Sequence, residues 1–383
     1  MPEQPSIRPT GRTPYETKYE MINDYAIAFF KEDGSVAAWG DPLFGGDISL
    51  VKEQLQSEVK NIYSNGEAFA VQKEDGSVVT WGGYGGDSSE VKDKLSSGVI
   101  NIYSNDQAFA ALKKDGSVVT WGRDINGGDS SKVASKLSNG VINIVSNYDA
   151  FAALKDDGSV VVWGADSNDN YEDKGGDPSN VSNYLKDNVT EVYSTDYAFA
   201  ALKKDGSVVT WGGRDGGGDP RRTNYEIINL LSSGVKEIKQ SRSAFAALKD
   251  DGTVVSWGGN IDTSGPDENH SISEIYLNNN ELIYEKIDGS FSWDDKTLTN
   301  LKITNTEEVL EIKDIYPTFS DFNILTTKGL IFNSDDIQSS SETVHHISED
   351  KIIGSETNQV KEVVSSRYAS AVLLADGSVK TLE

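Results

Sequence analysis

Three histidines, His270, His345 and His346, are the chain's only side chains that titrate near neutrality, and there is no cysteine. A general base needs an orienting partner, and a two-histidine metal site needs both rings on one side. Adjacent His345 and His346 would point to opposite faces of a strand and suit neither arrangement. Thiolate metal binding, disulfides and cysteine nucleophiles are excluded by composition. Asp166, Asn168, Asn170 and Asp177 stand at positions one, three, five and twelve of a calcium-type loop. Tyr171 occupies the place that needs glycine, Lys174 takes another ligand position, and Asp177 serves better as a helix cap. Gly82 to Asp87 (GGYGGD) is a glycine-rich calcium-type phrase, but such sites need tandem copies and this one occurs once. No nucleophile elbow, phosphate loop or zinc spacing is present. The sequence therefore predicts no catalytic, cofactor-binding or metal-ligating residues, and it leaves the binding residues unspecified.

The elements that carry these carboxylates explain most of them. All seven tryptophans (Trp39, Trp81, Trp121, Trp163, Trp211, Trp257 and Trp293) occupy one position of an internal repeat, at spacings of 42, 40, 42, 48, 46 and 36 residues. The turn glycine extends the series through Gly34, Gly76, Gly116, Gly158, Gly206, Gly252, Gly289, Gly329 and Gly377, giving nine repeats. A single repeat cannot bury its own apolar faces, so the chain reads as one array in which each repeat contacts mainly its neighbours. Residues 19–258 are six regular repeats, and 259–383 are three divergent ones that keep the turn but lose the AFAAL and TWG phrases.

One repeat, residues 99 to 140, shows the chemistry. Val99–Tyr103, Ala108–Lys113 and Ser117–Trp121 read as strands, the last two joined by a tight turn at Asp115-Gly116. Alternation puts Phe109 and Ala111 on one face and Ala108, Ala110 and Leu112 on the other. Both faces are apolar, so the strand is sandwiched. Asp129 to Gly140 then predicts an amphipathic helix of about two turns, with Val133 and Leu137 inward and Gly140 as left-handed cap. Asp47, Asp87, Asp129, Asp177 and Asp219 are its N-terminal caps, and Asp87 to Glu90 has capping-box spacing. A fourth, outermost strand is the alternative for this segment.

Residues 26 to 40, 68 to 82, 108 to 122, 150 to 164, 198 to 212 and 244 to 258 resemble the repeats of the regulator of chromosome condensation family: a small apolar strand, a DG turn, then V-x-x-W-G. The resemblance implies a mainly β fold, a β-propeller of about seven to nine blades. The alternative is an open β-solenoid or spiral. GGD-S-S-x-V-x-x-x-L replaces the family's usual glycine-glutamine-leucine-glycine stretch, and the phrase more closely resembles tandem arrays of large bacterial and protist proteins.

The resemblance also implies chromatin binding and nucleotide exchange on a small GTPase, and composition removes the first. With 61 acidic against 35 basic side chains and a formal charge of −26, the surface repels phosphate backbones. No nucleic-acid partner is expected. No apolar run approaches the roughly 20 residues of a membrane helix, so membrane insertion is not expected either. Residues 1 to 18, proline-rich with scattered charges, do not read as a secretory signal and lack the repeat pattern. This N-terminal arm is expected either to complete the last repeat or to dock on a partner. The long insertions 165–174 and 213–226 and the polar loop 260–273 are candidate contact loops.

The functional expectation is a non-enzymatic structural or protein-interaction array in a larger bacterial or phage assembly. Its partners would be met through the N-terminal arm and the divergent repeats. The alternatives are an adhesin or toxin-like module binding host glycan or protein, and, from family analogy alone, a guanine nucleotide exchange regulator.

Overall fold

The computed structural model describes residues 20–31, 33–165, 174–259, 272–278, 281–293, 296–298, 301–304, 309–318, 321–341, 344–355, 357–365 and 370–382. The arm, the calcium-type positions Asp166, Asn168 and Asn170, and His270 lie outside these residues. By contacts the chain divides into two compact parts, Met1–Tyr225 and Glu226–Glu383. The first holds repeats one to five and the second repeats six to nine.

The fold is mainly β, a series of propeller-type blades. Among the described residues each of the nine repeats forms an antiparallel meander of three strands, ordered first, second, third, to which repeat seven adds a fourth. In repeat three these are Val99–Ser104, Ala108–Lys113 and Val118–Gly122. The first strand carries a bulge. Val99 pairs with Lys113 and Asn101 with Leu112, which leaves Ile100 unpaired and half exposed. The same shift recurs in repeats two to nine, with Ile142 as its counterpart in repeat four.

The second strand is the core. Ala108, Phe109, Ala110 and Ala111 are fully buried, as the two apolar faces require. Phe109 and Ala111 pack toward repeat two, against Ala68 and Ala70. Ala108 and Ala110 pack toward repeat four, against Phe151 and Ala153. Small side chains on one sheet thus receive the large ring of the next. That places successive backbones close together and makes burial a property of the junction.

The Asp129 to Gly140 segment corrects the expectation of a two-turn α-helix. It is a 3-10 turn at Ser131–Val133 followed by a further turn, and the corresponding segment of repeat two has Ser89–Val91. Leu137 is buried as expected, but its carbonyl accepts from Val118 N at 2.9 Å on the third strand. That bond takes the acceptor a longer helix would use, and so short a segment does not repay helix nucleation. Among the described residues the fourth-strand alternative fails in the regular repeats and holds in repeat seven, where Lys296–Leu298 pairs with Phe291–Trp293. The only α-helical segment among the described residues is Ile227–Leu230.

The divergent end adds a sheet that the repeat pattern does not contain. Leu301–Ile303 pairs in parallel with Val344–Ile347 and antiparallel with Val309–Leu310, and Gln338–Ser341 completes it. Leu301, Leu310 and Ile347 join the core of repeats seven and eight. The divergent residues therefore build a core of their own.

Candidate interaction surface

Meander topology puts two kinds of connection at opposite ends of each sheet. The turn between second and third strands lies at one end. At the other lie the loop between first and second strands and the turn that follows TWG.

The Asp-Gly end is chemically uniform. Asp115 Oδ1 accepts from Ser117 N at 3.0 Å and from its hydroxyl at 2.6 Å, and the pattern repeats at Asp157, Asp205, Asp288 and Asp376. These serine bonds hold each carboxyl below its ordinary range. Lys113 and Lys203 donate to the carbonyls of Lys94 and Tyr184, closing the helical turns. These residues are spent on geometry.

The TWG end is built on a repeated asparagine and varies on top of it. Asn23, Asn65, Asn105 and Asn147 each accept, through Oδ1, from the backbone N–H three residues on, at 2.6–2.8 Å. Each also donates from Nδ2 to a carbonyl of the turn after TWG: Phe44, Tyr84, Asn126 and Lys174 at 2.6–2.8 Å. Thr195 does the same in repeat five through its hydroxyl to Gly216 O at 2.8 Å. Loop and turn are therefore one unit. Neighbouring loops are joined by backbone bonds running Asp24 to Gly66, Gly66 to Asp106, Asp106 to Tyr148 and Tyr148 to Asp196, at 2.8–3.2 Å.

On this rigid edge the two residues after the capping position vary: Asp24-Tyr25 and Asp196-Tyr197 in repeats one and five, with Gly66-Glu67, Asp106-Gln107 and Tyr148-Asp149 between them. Gln107 bridges repeats, donating to Glu67 at 2.9 Å and accepting from Arg123 at 2.5 Å. The Arg123 guanidinium lies 5.5 Å over the Tyr84 ring, and Lys174 Nζ lies 4.2 Å over Tyr197. Tyr197 stacks on Tyr148, and Tyr25 on Phe44. Asn126 Nδ2 donates to Asp149 at 2.7 Å. Burial raises the Asp149 carboxyl pKa against the pull of Lys174, Asn126 and Arg123. Tyr25, Leu43, Tyr84 and Ile125 are more than half exposed here. Aromatic rings, carboxylates and amides on a fixed frame are suited to recognition. No described group of three or more His, Cys, Asp or Glu side chains has the geometry to hold a metal.

The residues singled out from sequence are mostly elsewhere. Asp47, Asp87, Asp129, Asp177 and Asp219 each accept from the N–H two residues on, at 2.8–3.2 Å, but Asp219 alone of the five is the N-cap of a 3-10 turn; Ser88 and Ser130 hold that position after Asp87 and Asp129, so the other aspartates bind a preceding turn and not a helix end. Asp177 thus has its structural use, and Gly82 to Asp87 is the turn after TWG. His345 and His346 are adjacent in Val344–Ile347, the backbone of His345 pairing with Leu301 and Ser339. Of the insertions, 213–226 contributes the 3-10 turns Arg214–Gly216 and Pro220–Arg222 to the TWG end, whereas most of 165–174 and 260–273 lies outside the described residues. The variable pairs were missed as a site. Their signal was the difference between copies, while the sequence reading followed what the copies share.

A mainly β chain of propeller-type blades with one variable edge defines the class. No protein-family model and no curated protein sequence matches this chain. Solved structures do. Prp20p of Saccharomyces cerevisiae is 15% identical over 66% of this chain and 72% of its own, at a TM-score of 0.35. Human WBSCR16 is 18% identical over 64% and 78%, at 0.38. The CRINKLY WD40 ectodomain of the Arabidopsis thaliana receptor kinase ACR4 is 14% identical over 70% and 90%, at 0.35. Prp20 is the yeast RCC1. Similarity of this degree concerns the fold alone.

Proposed function

We propose that this chain is a non-enzymatic protein-interaction module of a larger bacterial or phage assembly, and that it meets its partner through the TWG edge of its repeats. The observation that carries this reading is the concentration of variation. Repeats two to five are near-copies in their strands and Trp contacts and change at one position of the Asp-Gly turn (Glu74, Lys114, Asp156, Lys204), whereas both residues after each capping residue change, from Gly-Glu to Asp-Gln, Tyr-Asp and Asp-Tyr. A residue that only needs to fold has no reason to vary more on one edge than on the other. Residues 1–18 and the divergent repeats 259–383 are further partner contacts in this proposal. A second reading, binding of a host glycan, is favoured by the exposed Tyr25 and Tyr84 rings, since rings stack on sugar faces.

The test is capture from the native producer with the full-length chain, with Tyr84→Ala plus Gln107→Ala, and with Lys114→Ala on the Asp-Gly edge as control. Stoichiometric recovery of the same several proteins by wild type and control, and their loss from the double variant, is the expected result. Equal recovery by all three chains would refute the edge assignment. Recovery of the chain alone, with glycan binding that the double variant loses, would establish the second reading.

A further inference from the structure

The chain contains three Asn-Gly pairs: Asn65-Gly66, Asn126-Gly127 and Asn139-Gly140. Asparagine before glycine is the pair most open to intramolecular cyclisation, because glycine has no side chain to shield its nitrogen from the asparagine Cγ. The reaction needs a side-chain amide free to swing onto the main chain and a glycine N–H free to lose its proton.

The fold withholds both from the first two pairs. Asn65 is buried, its Oδ1 accepting from Glu67 N at 2.9 Å and Ala68 N at 2.6 Å while its Nδ2 donates to Tyr84 O at 2.8 Å. The Gly66 N–H donates to Asp106 O at 2.8 Å. Asn126 is buried too and donates to Asp149 Oδ1 at 2.7 Å, and the Gly127 N–H donates to Asp124 O at 3.0 Å. The Asp-Gly turns are held in the same way: the Asp115 carboxyl accepts from Ser117, and the Gly116 N–H donates to Lys113 O at 2.9 Å. Asn139-Gly140 is held at neither point. Asn139 is exposed, and its side chain makes a single hydrogen bond among the described residues, to the Ser138 hydroxyl at 3.4 Å. The Gly140 N–H donates to no described residue. The counterparts in repeats two and six are Ser97-Gly98 and Ser233-Gly234, which have no amide to react.

We propose that Asn139 is a self-modification site, singled out by the fold from the three pairs. The Gly140 nitrogen attacks Asn139 Cγ. A C–N bond forms, the Cγ–Nδ2 bond breaks, and ammonia leaves with the proton that Gly140 N gives up. Water then opens the succinimide at either carbonyl, leaving aspartate or isoaspartate at position 139. Isoaspartate routes the main chain through the side-chain carbon and lengthens it by a methylene just before Gly140. Gly140 O accepts from Asp156 N at 2.8 Å on the turn of repeat four, and Val141 N donates to Gly116 O at 3.0 Å on the turn of repeat three. Lengthening the chain here strains both bonds and loosens the joint between the two repeats. The new carboxylate also arises beside Gly140, where a Cβ would lie 2.9 Å from Asp156 Oδ1, so it adds like-charge repulsion. The site lies at the Asp-Gly end and goes beyond the partner binding at the TWG edge, in which Asn139 takes no part.

Peptide mapping by mass spectrometry tests this on the full chain aged at mildly alkaline pH, both native and in urea. In the native chain, position 139 is expected to exchange amide for acid at least about tenfold faster than positions 65 and 126, which react only after local opening. In urea the three should convert at similar rates. An aspartate-specific protease cuts at aspartate and not at isoaspartate, which separates the two products. A native chain in which position 139 converts no faster than the other two overturns the proposal, and so does a ranking that persists in urea. The denaturation midpoint of the wild type should fall on ageing, whereas Asn139→Ser, with the residue that repeats two and six carry there, should hold its midpoint. An aged wild type with position 139 converted and its midpoint unchanged would overturn the loosened joint.

Discussion

A glycine in this chain is replaceable or not according to what its missing Cβ would meet. Gly127 has φ +96°, and a Cβ there would lie 2.8 Å from the Phe151 ring and 3.1 Å from Trp163 Cδ1. Its carbonyl accepts the Trp163 Nε1 proton at 3.1 Å, as Gly45 and Gly85 do for Trp81 and Trp121. Gly34 has φ +76° with nothing within 4 Å. Gly34→Ala should therefore cost about 1 kcal/mol, the left-handed backbone alone, and Gly127→Ala about 3 kcal/mol or more, since a buried ring must also move. Urea denaturation of the two variants measures the difference, and equal losses would remove the ring contact as the reason for the glycine. The turn carboxylates make a second prediction at this scale. Asp33, Asp75, Asp115, Asp157, Asp205, Asp288 and Asp376 are all lowered, first by the serine hydroxyl and then by its N–H. A carboxyl whose folded value is lowered contributes its full stabilisation above the unfolded value and loses it as pH falls through the folded one. The denaturation midpoint should be flat from about pH 7 to 5 and fall below about pH 4. Asp149, raised by burial, acts in the opposite sense and subtracts from that trend. A midpoint unchanged down to pH 2 would show that the turns do not depend on ionised Asp.

At the scale of elements, the segment after each TWG decides how the spectrum of the protein should look. With four α-helical residues described, Ile227–Leu230, far-UV circular dichroism should show less than about 5% α-helix and a β-type minimum. A helix content above about 10% would restore the two-turn helices that these segments lack. The strands were legible because β-branched runs, Asp-Gly turns and an alanine strand apolar on both faces each dictate the same local answer. The local bonds of the GGD aspartates were legible too, since an aspartate can bond the N–H two residues on without help from the rest of the fold, although only Asp219 of them sits at the N-cap of a helical turn. The length of the helical turn was not, because the Val118 to Leu137 bond that ends it joins residues nineteen apart across the repeat. The sheet around Leu301–Ile303 was hidden for the same reason. Its parallel partner Val344–Ile347 is more than forty residues away and carries no repeat signature. The TWG edge fell between these cases: its asparagine frame is a shared feature, but the contact surface proposed for it rests on what the copies do not share.

At the scale of the whole molecule, the question is whether stability is a sum of neighbour junctions. The repeats in the first compact part offer a clean way to ask it. Residues 105–146 are one full period, and removing them joins Ser104, the end of a first strand, to Asn147, the capping residue that begins the loop before Ala150–Lys155. The hybrid repeat keeps a complete meander: Val99–Ser104, Ala150–Lys155 and Val160–Gly164. Its new neighbour offers Ala68 and Ala70 to Phe151 and Trp163 where Ala108 and Ala110 stood before, and Gly85 O to the indole N–H where Gly127 stood. The alanine and indole contacts of the core therefore have like replacements, while the Gln107 bridge and the Asn126 to Asp149 bond on the surface are lost. If each repeat depends only on its neighbours, the shortened chain should fold, with a melting temperature within about 5 °C of the full chain and less total unfolding enthalpy in proportion to its length. A chain whose ends must meet with a fixed number of repeats would lose far more, because removing one blade leaves a gap that no junction can fill. Differential scanning calorimetry of the two chains separates these outcomes.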